Sequence, residues 1–155
     1  LVDNQQQSAI IGQINTQPIA SSSGGSAANT MIAIASLGGK TFYSCLIGQD
    51  EMGNFYQEDL RKAGVLTSEL HRISGSTGRC VVLITPDADR TLLTSLGISA
   101  SISPDQIDES RISACSYVYL EGYLLSSENG FNACLLAQEL AKKHNKKKNC
   151  FQREN

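Results

Sequence analysis

The chain contains no tryptophan, few prolines and two histidines, and no apolar run approaches the ~18 residues that a membrane-spanning helix needs. His71 and His144 lie far apart with no second ligand at metal spacing, which argues against a structural zinc site. Two isolated histidines also leave no Ser/His/Asp or Cys/His set to assemble. No C-x-x-C pair occurs. The five cysteines (Cys45, Cys80, Cys115, Cys134 and Cys150) are odd in number and widely spaced, unlike a disulfide framework or a zinc knuckle. Most of them sit within apolar stretches, where a free thiol behaves as a small hydrophobe, so the expected setting is reducing and cytoplasmic. Neither sign of charge dominates: 13 basic side chains face 15 acidic ones. That balance excludes a protein whose main work is coating nucleic acid or an anionic membrane. Leu1-Val2-Asp3-Asn4 offers neither a basic start nor an apolar secretory core. Without an initiating Met, the chain is expected to be part of something longer.

What is present suits a globular α/β domain. A chain of 155 residues with 41% apolar content can bury roughly two-thirds of its unfolded surface. Residues 1–14 read as a short Gln-rich helix closing on Gly12, and 15–23 as an extended polar stretch. Thr30–Leu37, rich in Ala and apolar on nearly every side, reads as a buried helix stopping at Gly38-Gly39. Thr41–Ile47 has the β-branched and aromatic content of a strand. Asp50 then caps a helix over Glu51–Ala63 that Gly64 ends. Helix, strand, helix in this order predicts parallel strands.

Residues 79–97 break the rhythm. Arg79–Thr85 and Arg90–Leu96 flank Pro86-Asp87-Ala88-Asp89, good turn chemistry for a β-hairpin, and such a hairpin on an α/β sheet often forms a flap. Ser103-Pro104-Asp105-Gln106 is a capping box with Pro at the first helical position. Tyr117–Leu120 reads as a strand, and Ser127–His144 as a helix with Leu135, Leu136 and Leu140 on one side. Residues 146–155 show no strand pattern and read as an atypical tail after a domain of 1–145.

Gly24-Gly25-Ser26-Ala27-Ala28-Asn29 carries the most chemistry. Two glycines before a helix let a ligand approach the backbone, and first-turn N–H groups are free to donate. The helix dipole adds positive potential there. Asn29 both donates and accepts, which suits a sugar hydroxyl. The same spacing also fits a tight turn into a packing helix. Gly48–Gly53 has phosphate-loop spacing, but Asn54-Phe55 replaces the required Lys and hydroxyl, so Asp50 reads as a helix cap. No G-x-G-x-x-G occurs. The lysines at 142, 143 and 146–148 read as a solvated helix end matched to the dipole.

These motifs together resemble the ribokinase/PfkB family of sugar and nucleoside kinases. Gly24–Thr30, followed by Gly38 and Gly48, resembles its first signature. Gly48-x-Asp50-x-x-Gly53 and Leu60-x-x-x-Gly64-Val65 are similar to the next block. Thr77-Gly78-Arg79-Cys80, Asp89-Arg90-Thr91 and Tyr119-Leu120-Glu121-Gly122-Tyr123 look like the adenosine-kinase-like branch. Met31 departs from the family's usual Ser, Thr or Ala, a change expected to act on helix packing rather than on a ligand. The resemblance implies a ribokinase-like parallel sheet flanked by helices, with a small β lid built from 15–22 and 79–97, as an incomplete domain.

It further implies ATP-dependent phosphorylation of a sugar or nucleoside hydroxyl, with Mg2+. Gly24, Gly25, Asn29 and Gly122 would hold the substrate, and the lid would exclude water. Three family features are absent from the sequence: the Gly-Ala-Gly-Asp stretch carrying the base, the N-x-x-E motif that organises Mg2+, and the first strand with its substrate-gripping Asp. The expectation is therefore an N-terminal portion with substrate-side residues but no catalytic residue, inactive alone and binding ATP and Mg2+ poorly. The other reading is a non-catalytic remnant that binds a ligand or forms a homodimer through its lid. Lys146-Lys147-Lys148 also suits an adenine run in which a slipped frame would replace the next strand; simple truncation is the alternative.

Overall fold

The computed structural model describes residues 1–14, 18–68 and 71–150, with side chains described to Lys147. The chain starts with helix α1, Asn4–Gln13. Asp3 opens it by a reciprocal capping box: its carboxylate accepts from Gln6 N–H at 2.7 Å, and the Gln6 side chain accepts from Asp3 N–H at 3.1 Å. Helix α2, Ser26–Ser36, follows Gly25. Short strands β1 (Thr41–Tyr43) and β2 (Ile47–Gly48) precede helix α3, Glu51–Lys62, which Asp50 caps through Gly53 N–H at 2.8 Å. Strands β3 (Val65–Thr67) and β4 (Arg72–Ile73) then return parallel to β1 and β2.

Ala28, Leu60 and Val65 form the buried centre where α2 and α3 meet this sheet, with Met31, Tyr43 and Tyr56 packed around it. Met31 thus works in packing, as its departure from the family pattern suggested. The expectation of a buried helix over Thr30–Leu37 is corrected: Ala28 is the buried residue of α2, while Leu37 is 88% exposed. An apolar sequence cannot bury a face that no neighbouring element covers.

The hairpin forms as expected. Strands β5 (Arg79–Ile84) and β6 (Arg90–Ser95) pair antiparallel, with Val82 opposite Leu92. One face carries Val82, Ile84 and Leu92, all exposed. The base of the hairpin meets α1, and the joint is polar. Gln7 is fully buried; its Nε2 donates to the carbonyls of Arg79 (3.0 Å) and Leu93 (2.7 Å), one on each strand. Its Oε1 accepts from Arg79 Nε at 2.7 Å. Val2 N–H adds a bond to Thr94 O at 2.9 Å. The other expected lid segment differs: residues 18–22 form no strand, and 15–17 lie outside the described residues.

Beyond the hairpin, the capping box at Ser103 opens one 3₁₀ turn, Pro104–Gln106. Ile107 is extended, and Asp108 caps the next helix, α4 (Glu109–Ala114). Strand β7, Tyr117–Leu120, leads through a 3₁₀ turn, Gly122–Ser126, into helix α5, Glu128–Lys143, capped by Ser127. The buried side of α5 includes Ala133, Cys134, Ala137 and Ala141, the last three packed with Ile112 and Leu120. Leu135, one of the leucines expected to share a side, is exposed. Small residues let the helix approach β7 closely and push the leucines to its flanks.

Strand β8, Lys147–Cys150, pairs parallel with β7 from Tyr117↔Lys147 to Leu120↔Cys150. This corrects the expectation that no strand follows 145; residues 151–155, on which the slipped-frame reading also falls, lie outside the described residues. Cys45 and Cys134 are buried, Cys115 is half-buried and Cys80 is exposed. Among the described residues no helix is long and apolar enough to cross a membrane.

Candidate functional site

Gly25 immediately precedes α2 with φ 104° and ψ 140°, a backbone state that side chains disfavour. Its carbonyl accepts from Asn29 N–H at 2.9 Å and so starts the helix. No side chain caps this end. A β-carbon placed on Gly24 or Gly25 would meet nothing within 4 Å, so the backbone here faces open space. Asn29 is exposed one turn into α2.

The carboxyl end of β7 reaches the same place. Glu121 Oε1 accepts from the Ser26 hydroxyl at 2.7 Å and from the Tyr119 hydroxyl at 2.9 Å. The bond to the Glu121 carboxylate, then burial, raises the Tyr119 hydroxyl above its ordinary value. Gly122 follows directly and opens its 3₁₀ turn. Ninety-five positions separate Ser26 from Glu121, yet their bond ties the first turn of α2 to the residue before Gly122. The four residues singled out from sequence thus gather on the α2 N-terminus and the end of β7, the edge where open α/β sheets place ligands.

Helix α3 supports this loop from behind. Ser23, buried, donates its N–H to Asp59 Oδ2 at 2.7 Å and its hydroxyl to Tyr56 O at 3.3 Å. The Ser23 N–H and hydroxyl hold the Asp59 carboxyl below the usual carboxylate range. The Tyr56 hydroxyl donates to Gly24 O at 3.1 Å. Burial raises that hydroxyl, with Tyr43 beside it a smaller cause. Burial likewise pushes the Tyr43 hydroxyl and the Cys45 thiol each up to about 12. Burial thus favours the neutral thiol at Cys45.

A second polar cluster lies at the base of the hairpin. The Thr77 hydroxyl donates to Asp50 Oδ1 at 2.5 Å, Thr77 N–H donates to Oδ2 at 2.9 Å, and Gly48 N–H donates to the Thr77 hydroxyl at 3.0 Å. Burial works against ionisation of Asp50, but these bonds and the one from Gly53 hold its carboxyl below the usual value. A β-carbon on Gly48 would press on Gly75 O and Thr77, and one on Gly53 would strike Gly48 O. The Gly48-x-Asp50-x-x-Gly53 block is thus a packing device with Asp50 as helix cap. A small polar cavity beside it is lined by Asn4, Asp50, Ser76, Thr77 and Arg79, and shares no residue with the loop at 24–29.

Among the described residues no group of three or more His, Cys, Asp or Glu side chains is placed to hold a metal ion. Sequence reasoning missed Ser26, Tyr56, Asp59 and Glu121. Glu121 carried a signal, an acid at a strand end beside Gly122. Tyr56 and Asp59 carried none, because their partners lie more than thirty positions away.

A family model described as pfkB family carbohydrate kinase matches residues 11–154. A 5-dehydro-2-deoxygluconokinase of Clostridium tetani is 27% identical over 126 residues, covering 79% of this chain and 37% of that protein. An ATP-dependent ribose-1-phosphate kinase of Halopiger xanaduensis is 30% identical over 110 residues, covering 70% of this chain and 37% of its own length. The crystal structure of adenosine kinase from Sinorhizobium meliloti superposes with a TM-score of 0.85 at 26% identity, over 96% of this chain and 45% of that one. The chain therefore spans less than half the length of these relatives. It belongs to the pfkB family of carbohydrate kinases, with a ribokinase-like fold.

Proposed function

We propose that this pfkB-family chain forms the substrate-side part of a sugar or nucleoside kinase. Gly24, Gly25 and Asn29 receive hydroxyl groups of the substrate, and Gly122 borders the pocket. The observation that carries this reading is the Ser26–Glu121 bond, which joins two glycine motifs distant in sequence around an open backbone. The bare glycine backbone lets a sugar ring sit against N–H groups at a helix start, and Asn29 donates to one hydroxyl while accepting from another. The hairpin closes over the bound ring and shields it from water.

Kinases of this family use ATP and Mg2+. Transfer needs a general base and contacts to the nucleotide, and the sequence holds neither Gly-Ala-Gly-Asp nor N-x-x-E. The chain alone is therefore expected to bind substrate in the cytoplasm without phosphorylating it. Calorimetric titration with adenosine and with D-ribose tests the reading. Binding that Asn29→Ala removes supports it; no heat with either compound counts against it.

A second reading rests on the exposed Val82, Ile84 and Leu92 of the hairpin. An apolar strand face of this kind pairs with a second copy, giving a homodimer through the lid. Sedimentation equilibrium checks it: a dimer that Leu92→Lys returns to monomer is the expected result.

A further inference from the structure

We propose that Tyr56 and Asp59 are positioning residues that aim the Gly24–Gly25 backbone at the substrate; this rests on the substrate reading above. The two stand three residues apart on α3, on neighbouring surface positions of the helix. Both reach the segment directly before the open glycines. Asp59 Oδ2 grips Ser23 N–H at 2.7 Å, and the Tyr56 hydroxyl grips the Gly24 carbonyl at 3.1 Å. Gly24 C=O and Gly25 N–H belong to one planar trans peptide, so they point in opposite directions. Fixing the carbonyl toward α3 turns the Gly25 N–H away from that helix, at a residue whose β-carbon position is open as well. Gly25 itself supplies no restraint, since glycine turns more freely than any other residue. The hydroxyl of Tyr56 supplies that restraint from outside the loop.

The ring and the hydroxyl of Tyr56 do separable work. The ring packs against Ala28, Leu60 and Val65, and Tyr56→Phe keeps that contact while deleting the bond to Gly24. Asp59→Asn keeps an acceptor oxygen for Ser23 N–H, whereas Asp59→Ala removes it. The full 155-residue chain is studied by ¹⁵N relaxation and by calorimetric titration with adenosine and D-ribose. In Tyr56→Phe and Asp59→Ala, the order parameters at Gly24–Ser26 are expected to fall while those of α5 hold. Affinity for whichever compound binds is expected to weaken about five- to tenfold, the effect of one hydrogen bond. Asp59→Asn is expected to stay close to wild type in both measurements.

Unchanged order parameters and affinity in Tyr56→Phe and Asp59→Ala would overturn the proposal. Loosening spread evenly through α2, α3 and α5 would also overturn it, because that is loss of general stability. If the wild-type chain binds neither compound, the substrate reading falls, and the order parameters alone decide whether these residues set the loop.

Discussion

The hairpin base and the Gly24–Asn29 loop are both glycine-marked, and the chain treats them in opposite ways. At the base, glycines are crowded: Gly48, Gly53 and Gly78 leave no room for a β-carbon. Polar side chains knit this region together, Gln7 spanning both strands and Asp50 gathering Thr77 and Gly53. At the loop, the glycines face open space and the supporting bonds come from behind. Glycine serves close packing in the first region and access in the second. Spacing alone does not separate those uses; the surroundings of each glycine do.

Substitutions sharpen this contrast, and the largest effect belongs to the crowded region. Gly53→Ala is expected to cost roughly 3 kcal/mol, the upper range for overpacking, read as a lower urea midpoint. Gln7→Ala strands the Arg79 and Leu93 carbonyls and the Arg79 Nε–H, and is expected to cost about 2 kcal/mol. Faster amide exchange confined to the hairpin and α1 would mark the same loss.

Thr77→Val is expected to cost about 1 to 2 kcal/mol by leaving Gly48 N–H and Asp50 short of a partner. It also changes the acid response. The folded-state pKa of Asp50 is depressed, so its contribution is present above the unfolded pKa and lost as pH falls through the folded one. Wild-type stability should therefore fall more steeply as pH drops below the unfolded carboxylate pKa than that of Thr77→Val, which keeps only the Thr77 N–H and Gly53 N–H bonds to Asp50. Gly24→Ala lies at the bottom of the scale. Its stability change should stay within about 0.5 kcal/mol, since the new methyl meets nothing. A loss there as large as that of Gly53→Ala would break the comparison.

The local elements were readable because their signals are local. Asp50 and Ser127 announce helix starts, and Pro86–Asp89 announces the hairpin turn. The loop at 24–29 was readable for the same reason. Elements whose support comes from elsewhere were not. Lys147–Cys150 has no strand pattern, and its register is set by backbone pairing with β7. Gln7 looks like a surface residue until two strands more than seventy positions away cover it. The burial of small rather than large residues on α5 depends on how near β7 comes. The candidate site was legible in its glycines and Asn29, while the side chains that hold them were visible only once α3 and β7 were in place.

Cys80 gives the hairpin a built-in clock. Its thiol shares the outer strand face with Val82 and Ile84 and is exposed, while Cys45 and Cys134 are sealed in the interior. Of these three thiols, Cys80 at the hairpin would react first with a disulfide reagent, and its rate would count the fraction of time that face stands uncovered. Docking of a second copy there would slow the clock in proportion to protein concentration. Closure over a small molecule would slow it in proportion to ligand instead, so a single unlabelled cysteine distinguishes the two events by their concentration dependence.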